Sequence, residues 1–325
     1  MIEIQELCKY YGQHRAIGPL SARIEKGEVV GLLGLNGAGK TTTLRVLACD
    51  LLPSSGTVRV GGVDVVERPE EVRRKIGYLS DRPPLYDEMR VGEYLQFAYE
   101  LRGKPAAEGK KRVPIVAERL GLDRVLGDPV FSLSHGYRQR VGIAQAVVHE
   151  PDLVVLDEPI GGLDPVQIVE MRALVRQLGE SHTVIVSSHI LSEISETCDR
   201  LLVLRDGLIV ASGTEEELSQ SLLEGIRIEL TVRAESSDLA RILGVLRAIP
   251  DVTNAGAIAA LERGARVQSF EIQAKRDVRE QVGVSLLGAG FPLLAMQRTE
   301  SELEDVFLRL AGGTRPNAAV EASAS

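Results

Sequence analysis

Apolar positions along this chain recur at two spacings, and the switches between them mark out its elements. Short alternating or continuous apolar runs predict strands at 2–7, 16–24, 28–34, 57–60 and 75–79. A helix is predicted from about 39 to 50, closed by Pro53-Ser54-Ser55-Gly56. From 85 to 150 the spacing becomes helical, with helices at 91–101, 106–120 and 137–149. Strand character returns at 153–157, 183–187, 200–204 and 208–212, separated by helices near 165–178 and 190–197. Such alternation predicts an α/β fold: a mostly parallel sheet with helices on both faces, and ligand at the carboxyl ends of its strands.

A break at 214–224 ends that pattern. Beyond it the chain reads strand 226–233, helix 237–248, strands 253–260 and 267–273, helix 276–289, strand 293–298 and helix 300–311. The first six have the βαββαβ order of ferredoxin-like domains. The expected organisation is an α/β domain at 1–220, with a helical subdomain at about 85–150, and a small α+β domain at 221–311. The tail at 312–325, rich in Ala and Ser, is expected to be disordered.

Composition narrows the functional classes. A chain of 325 residues accommodates two domains. It lacks the run of about 18 apolar residues that a membrane span needs. Its first residues, Met-Ile-Glu-Ile-Gln-Glu-Leu, lack the basic start and apolar core of a signal peptide. Cys8, Cys49 and Cys198 are scattered without metal-binding spacing, as reduced thiols of a cytoplasmic protein would be. A net charge of −8 and 4% aromatic residues disfavour a general nucleic-acid binder. His14, His149 and His182 have no motif around them and read as surface residues.

Gly34-Leu35-Asn36-Gly37-Ala38-Gly39-Lys40-Thr41 follows an apolar strand and opens a helix, the context of a phosphate-binding P-loop. Its glycines let backbone N–H groups turn toward a phosphate, and the helix start adds its positive dipole end. In this reading Asn36, Gly37, Ala38, Gly39, Lys40, Thr41 and Thr42 hold nucleotide. Lys40 reaches the β- and γ-phosphates, and the Thr41 hydroxyl faces Mg²⁺. The run Leu153-Val154-Val155-Leu156 has the continuous apolar character of a strand covered on both faces. It ends in Asp157, a carboxylate for Mg²⁺, and Glu158, placed to polarise a water for attack on the γ-phosphate.

Leu133-Ser134-His135-Gly136-Tyr137 then resembles the Leu-Ser-Gly-Gly-Gln signature of the ABC transporter ATP-binding cassette, with His135 and Tyr137 departing from its commonest form. The resemblance covers 1 to about 220, all motifs in order. It implies a P-loop NTPase cassette that hydrolyses ATP with Mg²⁺. It further implies that Ser134 and Gly136 bind the γ-phosphate held by another cassette, and that Asp164, in Gly161-Gly162-Leu163-Asp164, couples the two sites. His189 matches the family's switch histidine and Tyr11 the aromatic that stacks on adenine, with Tyr10 a competing candidate. Ile76-Gly77-Tyr78-Leu79-Ser80-Asp81 resembles the strand into the Q-loop, but Asp81 stands where the family usually has Gln; it is expected to sense the metal or its water. Residues 302–307 resemble a closing helix common to such extensions.

One P-loop and one signature per chain imply a second cassette as partner, in a homodimer or in a heterodimer with a similar chain. The signature's form resembles cassettes that serve separate exporter-type permeases. The expected partners are therefore integral-membrane permease subunits, met on the cytoplasmic face of the cell membrane, with no nucleic acid. Docking is expected around 85–101, where Pro83-Pro84-Leu85-Tyr86 forms a partly apolar platform. Two other functions account for less of the sequence. A cassette ATPase acting on nucleic acid or ribosomes would bring a long coiled-coil insertion or a second cassette. A nucleotide-dependent regulator would lack Glu158 or His189.

Overall fold

The computed structural model describes residues 1–222, 226–258 and 267–299. The predicted helix 300–311, the motif at 302–307, the tail at 312–325 and the last two residues of the predicted strand 253–260 lie outside them. The chain divides into two compact units after Glu215.

The first unit contains two sheets. Strands β1 (Ile2–Tyr11), β2 (His14–Ile24), β4 (Ser55–Val60) and β5 (Val63–Asp64) form an antiparallel sheet in the order β2-β1-β4-β5. Strands β3 (Val29–Leu33), β6 (Ile76–Leu79), β7 (Leu153–Leu156), β8 (Thr183–Ser188), β9 (Arg200–Arg205) and β10 (Leu208–Gly213) form the second sheet. Its order is β10-β9-β3-β8-β7-β6, parallel except for the edge strand β10. Strands β3, β7 and β8 are buried at every position, as a sheet covered on both faces requires.

Helix α1 (Lys40–Leu47) sends Leu44, Val46 and Leu47 into the core that joins the two sheets, among Ile4, Ile17, Val30 and Leu204. Each such side chain stabilises the fold by about 1.5–3 kcal/mol, so the helix that follows the glycine-rich loop is firmly anchored. Helix α2 (Pro69–Lys75) has no counterpart among the predicted elements. Only Val72 of it is buried, so it shows no apolar periodicity. Its polar signals were present: Pro69 at the first turn, Glu70 and Glu71 beside it, and Arg73, Arg74 and Lys75 at the end.

Helices α3 (Val91–Leu101), α4 (Ala106–Arg119) and α5 (His135–Val147) fill the predicted helical segment. Helix α5 begins two residues earlier than its pattern suggested, because the Ser134 hydroxyl accepts the Tyr137 N–H and caps it. It lies hard against β6: a Cβ on Gly77 would stand 1.9 Å from the Ala146 carbonyl oxygen, and one on Gly142 would stand 2.6 Å from Leu79. Helix α6 (Pro165–Gly179) agrees with its prediction, whereas α7 covers only Leu191–Ile194 of the predicted 190–197.

Helix α8 (Glu215–Leu222) precedes the strands of the second unit, β11 (Ile226–Val232), β12 (Val252–Ile258), β13 (Gln268–Ala274) and β14 (Leu293–Thr299), with helices α9 (Leu239–Arg247) and α10 (Arg279–Gly288) between them. The sheet order β12-β13-β11-β14, with every neighbour antiparallel, is the ferredoxin-like arrangement. Ile228, Leu230, Phe270 and Ile272 pack one sheet face against Ile242, Leu246, Val282 and Leu286 of the helices.

The tight seam between β6 and α5 yields a prediction. Gly77→Ala should lower the stability of the first unit by about 1–3 kcal/mol, because neither backbone can retreat without disturbing the sheet. A urea-unfolding midpoint unchanged from wild type would refute that account of the seam.

Candidate nucleotide site

The strand order explains how distant motifs meet. Strand β8 lies between β3 and β7, so residues just after β8 stand between the loop that follows β3 and the acids that follow β7. In the loop, Gly37 and Gly39 have φ of +86° and +103°, left-handed conformations that suit glycine. A Cβ on Gly39 would also stand 2.4 Å from Ile17 and 2.9 Å from the Ala16 carbonyl. Around Gly37 the space is open. The leading N–H groups of α1 have no partner within the helix and can meet an anion.

Lys40 is only 5% exposed. Its ammonium donates to the Gly34 carbonyl at 2.7 Å and meets Glu158 Oε1 at 3.1 Å. The other Glu158 oxygen, Oε2, lies 2.9 Å from His189 Nδ1. Glu158 has φ of +48°, a strained value for a residue with a side chain and worth about 1–2 kcal/mol. Its N–H donates to Ser187 Oγ at 2.9 Å, which pins this turn.

Ser187 Oγ in turn donates to Asp157 Oδ1 at 2.7 Å, while the Asp157 N–H donates to the Leu79 carbonyl at 2.9 Å. Asp157 is 1% exposed, and its Oδ2 has no hydrogen-bond partner. Burial pushes its carboxyl upward from its ordinary value; the hydroxyls of Ser187 and Thr41 oppose that shift, and the charges of Glu158 and Asp81 add to it. A buried carboxylate oxygen without a partner, beside a threonine hydroxyl, has the oxygen-donor chemistry that a hard divalent cation takes. Among the described residues no cluster of three or more His, Cys, Asp or Glu has metal-holding geometry. A cation here would therefore need further ligands from water and substrate.

A cleft of about 390 Å³ brings together Asn36, Gly37, Gly39, Lys40, Thr41, Thr42, Asp81, Glu158 and His189 from the predicted set. Asp157 stands next to it, in an adjoining cavity whose walls also include Thr41 and Asp81. Ala38 is buried in the core, so its contribution to the loop is its backbone. Tyr11 is half-exposed at the end of β1 and does not line the cleft, but it pairs across the hairpin with His14, which does.

Ser134, Gly136 and Asp164 do not line this cleft. Ser134 caps α5, Asp164 caps α6 through the Gln167 N–H at 2.9 Å, and a Cβ on Gly136 would stand 2.8 Å from the end of the Gln167 side chain. His135 Nε2 lies 3.1 Å from the Gly161 carbonyl, joining the signature to the loop before Asp164.

Of the three histidines without motifs, His149 needs correction, whereas His14 is at the surface as expected. His14 lines the cleft, as do Gly161 and Ala16, the last of which the sequence did not single out. The only local signal for His14 was its place opposite Tyr11 in the hairpin. His149 is not on the surface: it is 2% exposed, with Nε2 3.2 Å from the Ile76 carbonyl, and burial drives its pKa down to about 3. His182 is half-buried, with Nδ1 2.7 Å from the Pro151 carbonyl.

Comparison with known proteins places the chain in a family. Residues 17–161 match the family model described as ABC transporter. The chain is 32% identical over 323 residues to the linearmycin resistance ATP-binding protein LnrL of Bacillus subtilis, covering 97% of this chain and 99% of that protein. It is 32% identical to the bacitracin transport ATP-binding protein BcrA of Enterococcus faecalis, over 96% of this chain and 97% of BcrA. Over 64% of this chain and 85% of the relative, it is 41% identical to the ABC transporter ATP-binding protein NatA of Bacillus subtilis. Among solved structures, an ATP-binding subunit of an ABC transporter superposes with a TM-score of 0.62 at 30% identity, covering 68% of this chain and 92% of that one. The dimeric bacterial ABC transporter cassette MJ0796 superposes with a TM-score of 0.61 at 26% identity, covering 66% and 98%. With a phosphate-binding loop, two acids and a histidine gathered at one sheet edge, and whole-length relatives of this kind, the chain belongs to the ABC transporter family as an ATP-binding, ATP-hydrolysing subunit.

Proposed function

We propose that two such chains close around two ATP molecules and that the cycle drives a separate membrane permease. The observation that carries this reading is the position of Ser134, Gly136 and Asp164, outside the cleft that holds Lys40 and Glu158 in the same chain. If these residues bind nucleotide, they bind one held by another cassette; the dimeric relative supports that arrangement.

Within each cleft, the amides of 36–42 cradle the phosphates and Lys40 moves from Glu158 to the β- and γ-oxygens. Thr41 and Asp157 hold Mg²⁺, which supplies charge to offset the phosphate oxygens in the transition state. Glu158, released from Lys40 and oriented by His189, polarises the attacking water. Tyr11 stacks on adenine, a contact worth about 1–3 kcal/mol by analogy with base stacking.

No helix among the described residues is long and apolar enough to cross a membrane. Transport therefore calls on permease subunits, and in this reading the chain works on the cytoplasmic face. A cavity of about 540 Å³ supports a docking place: Pro84, Tyr86, Tyr94, Phe97 and Leu101 line it together with Arg73, Arg74 and Arg102. The Tyr86 and Phe97 rings meet edge to face at 5.7 Å, yet Tyr86 stays 57% exposed, an apolar surface without a cover. We read the direction as export; the names of LnrL and BcrA, which match along the whole chain, support it.

Two experiments test this function. Glu158→Gln should lower steady-state ATPase at least ~100-fold while leaving ATP binding intact, and size-exclusion chromatography should show that variant as a dimer in ATP. Turnover equal to wild type would remove Glu158 from catalysis, and a monomer in ATP would undo the pairing. Tyr86→Glu should abolish co-purification with the permease without changing nucleotide affinity; full recovery of the complex would move the docking surface elsewhere.

A further inference from the structure

The signature and the loop that carries Glu158 meet through one side chain. His135 is the first residue of α5, directly after the Ser134 cap, and its Nε2 lies 3.1 Å from the Gly161 carbonyl oxygen. A carbonyl oxygen only accepts, so Nε2 carries the proton in this contact. The ring also rests on the next glycine: a Cβ on Gly162, whose φ is +75°, would stand 3.4 Å from Nε2. Gly161 is itself a wall of the nucleotide cleft, with Lys40, Glu158 and His189. Its N–H donates to the Glu158 carbonyl at 3.1 Å and closes the turn that follows β7.

Glu158 therefore sits between two anchors. On one side its N–H donates to Ser187 Oγ. On the other its carbonyl is held by Gly161, which His135 holds in turn. With φ at +48°, Glu158 has a conformation that a residue with a side chain keeps only where its surroundings enforce it. A change in that turn re-aims its carboxylate. Ser134 and Gly136, on either side of His135, are the residues read as meeting a partner's nucleotide. We propose that His135 is a positioning residue, which ties the engagement of its signature with the partner's nucleotide to the aim of Glu158 in its own cleft. The inference rests on the paired reading given above.

The test uses the full-length chain with His135→Ala, which removes the ring, and His135→Gln, whose amide N–H can reach the same carbonyl. His135 is exposed, and a Cβ on Gly136 would stand 2.8 Å from Gln167, so α5 abuts α6 without the imidazole and both variants keep the fold. Steady-state ATPase gives kcat, and nucleotide titration gives ATP affinity. Size-exclusion chromatography in ATP, with Glu158→Gln added to each variant, gives the dimer. His135→Ala should lower kcat about 10-fold, the scale of one lost hydrogen bond, while ATP affinity and the dimer stay as in wild type. His135→Gln should return kcat to within about 3-fold of wild type.

A His135→Ala kcat equal to wild type overturns the proposal. So does a dimer lost together with the rate, which makes His135 part of the signature's binding surface alone. A His135→Gln as slow as His135→Ala also overturns it, because the hydrogen bond then carries nothing. The paired reading is judged separately: it stands if Glu158→Gln alone is a dimer in ATP, whatever the His135 variants do. If that variant stays a monomer, the paired reading falls and takes the proposal with it.

Discussion

A buried ammonium sets the terms for the rest of this site. Lys40, 5% exposed, cannot keep its charge without partners, because an isolated ion in that environment costs several kcal/mol. The Gly34 carbonyl and the Glu158 carboxylate supply them. Glu158 is in turn held by His189 and by a backbone bond to Ser187, so the cation of one motif is neutralised by the acid of a second, which a third holds in place. In the proposed function, Glu158 occupies the place beside Lys40 that a phosphate takes. In the proposed cycle the arriving triphosphate takes that place and frees the carboxylate for water, which links nucleotide binding to the activation of the base.

The parallel sheet makes this arrangement possible. Ser187 reaches both Asp157 and Glu158 only because β8 is inserted between β3 and β7. All three strands end at the same edge, so loops distant in sequence converge without long excursions. The covered faces of these strands keep the edge rigid, and the fully buried side chains of α1 hold the glycine-rich loop on it.

A second mechanical line runs from the signature helix to the Asp81 loop. Gly77 lets α5 lie against β6, and Gln145 of α5 donates to the Tyr78 carbonyl at 2.9 Å. The cavity that holds Asp81 also includes Arg73, Pro84, Arg102 and Gln145, which line the aromatic groove as well. The two cavities thus share walls, and packed walls of this kind shift between discrete arrangements rather than deform continuously.

The sequence alone determined what depends on neighbours along the chain. The glycine-rich turn from Gly34 to Gly39, the apolar strand before Asp157 and the βαββαβ order of the second unit are local patterns, each written within a few turns or strands. Helix α2 escaped because only Val72 of it faces inward, leaving no period to detect. The sheet order, the antiparallel sheet built on β1, the burial of His149 and the capture of Lys40 by Glu158 were decided only in the tertiary structure. A sequence pattern reports which face of an element is apolar, but the partner of that face is chosen by packing among segments far apart. His149 is polar in composition and buried in fact because β6 comes to lie beside it. Glu158 reads as an acid after a strand, and the fold makes it the counter-ion of a lysine 118 residues earlier in the chain.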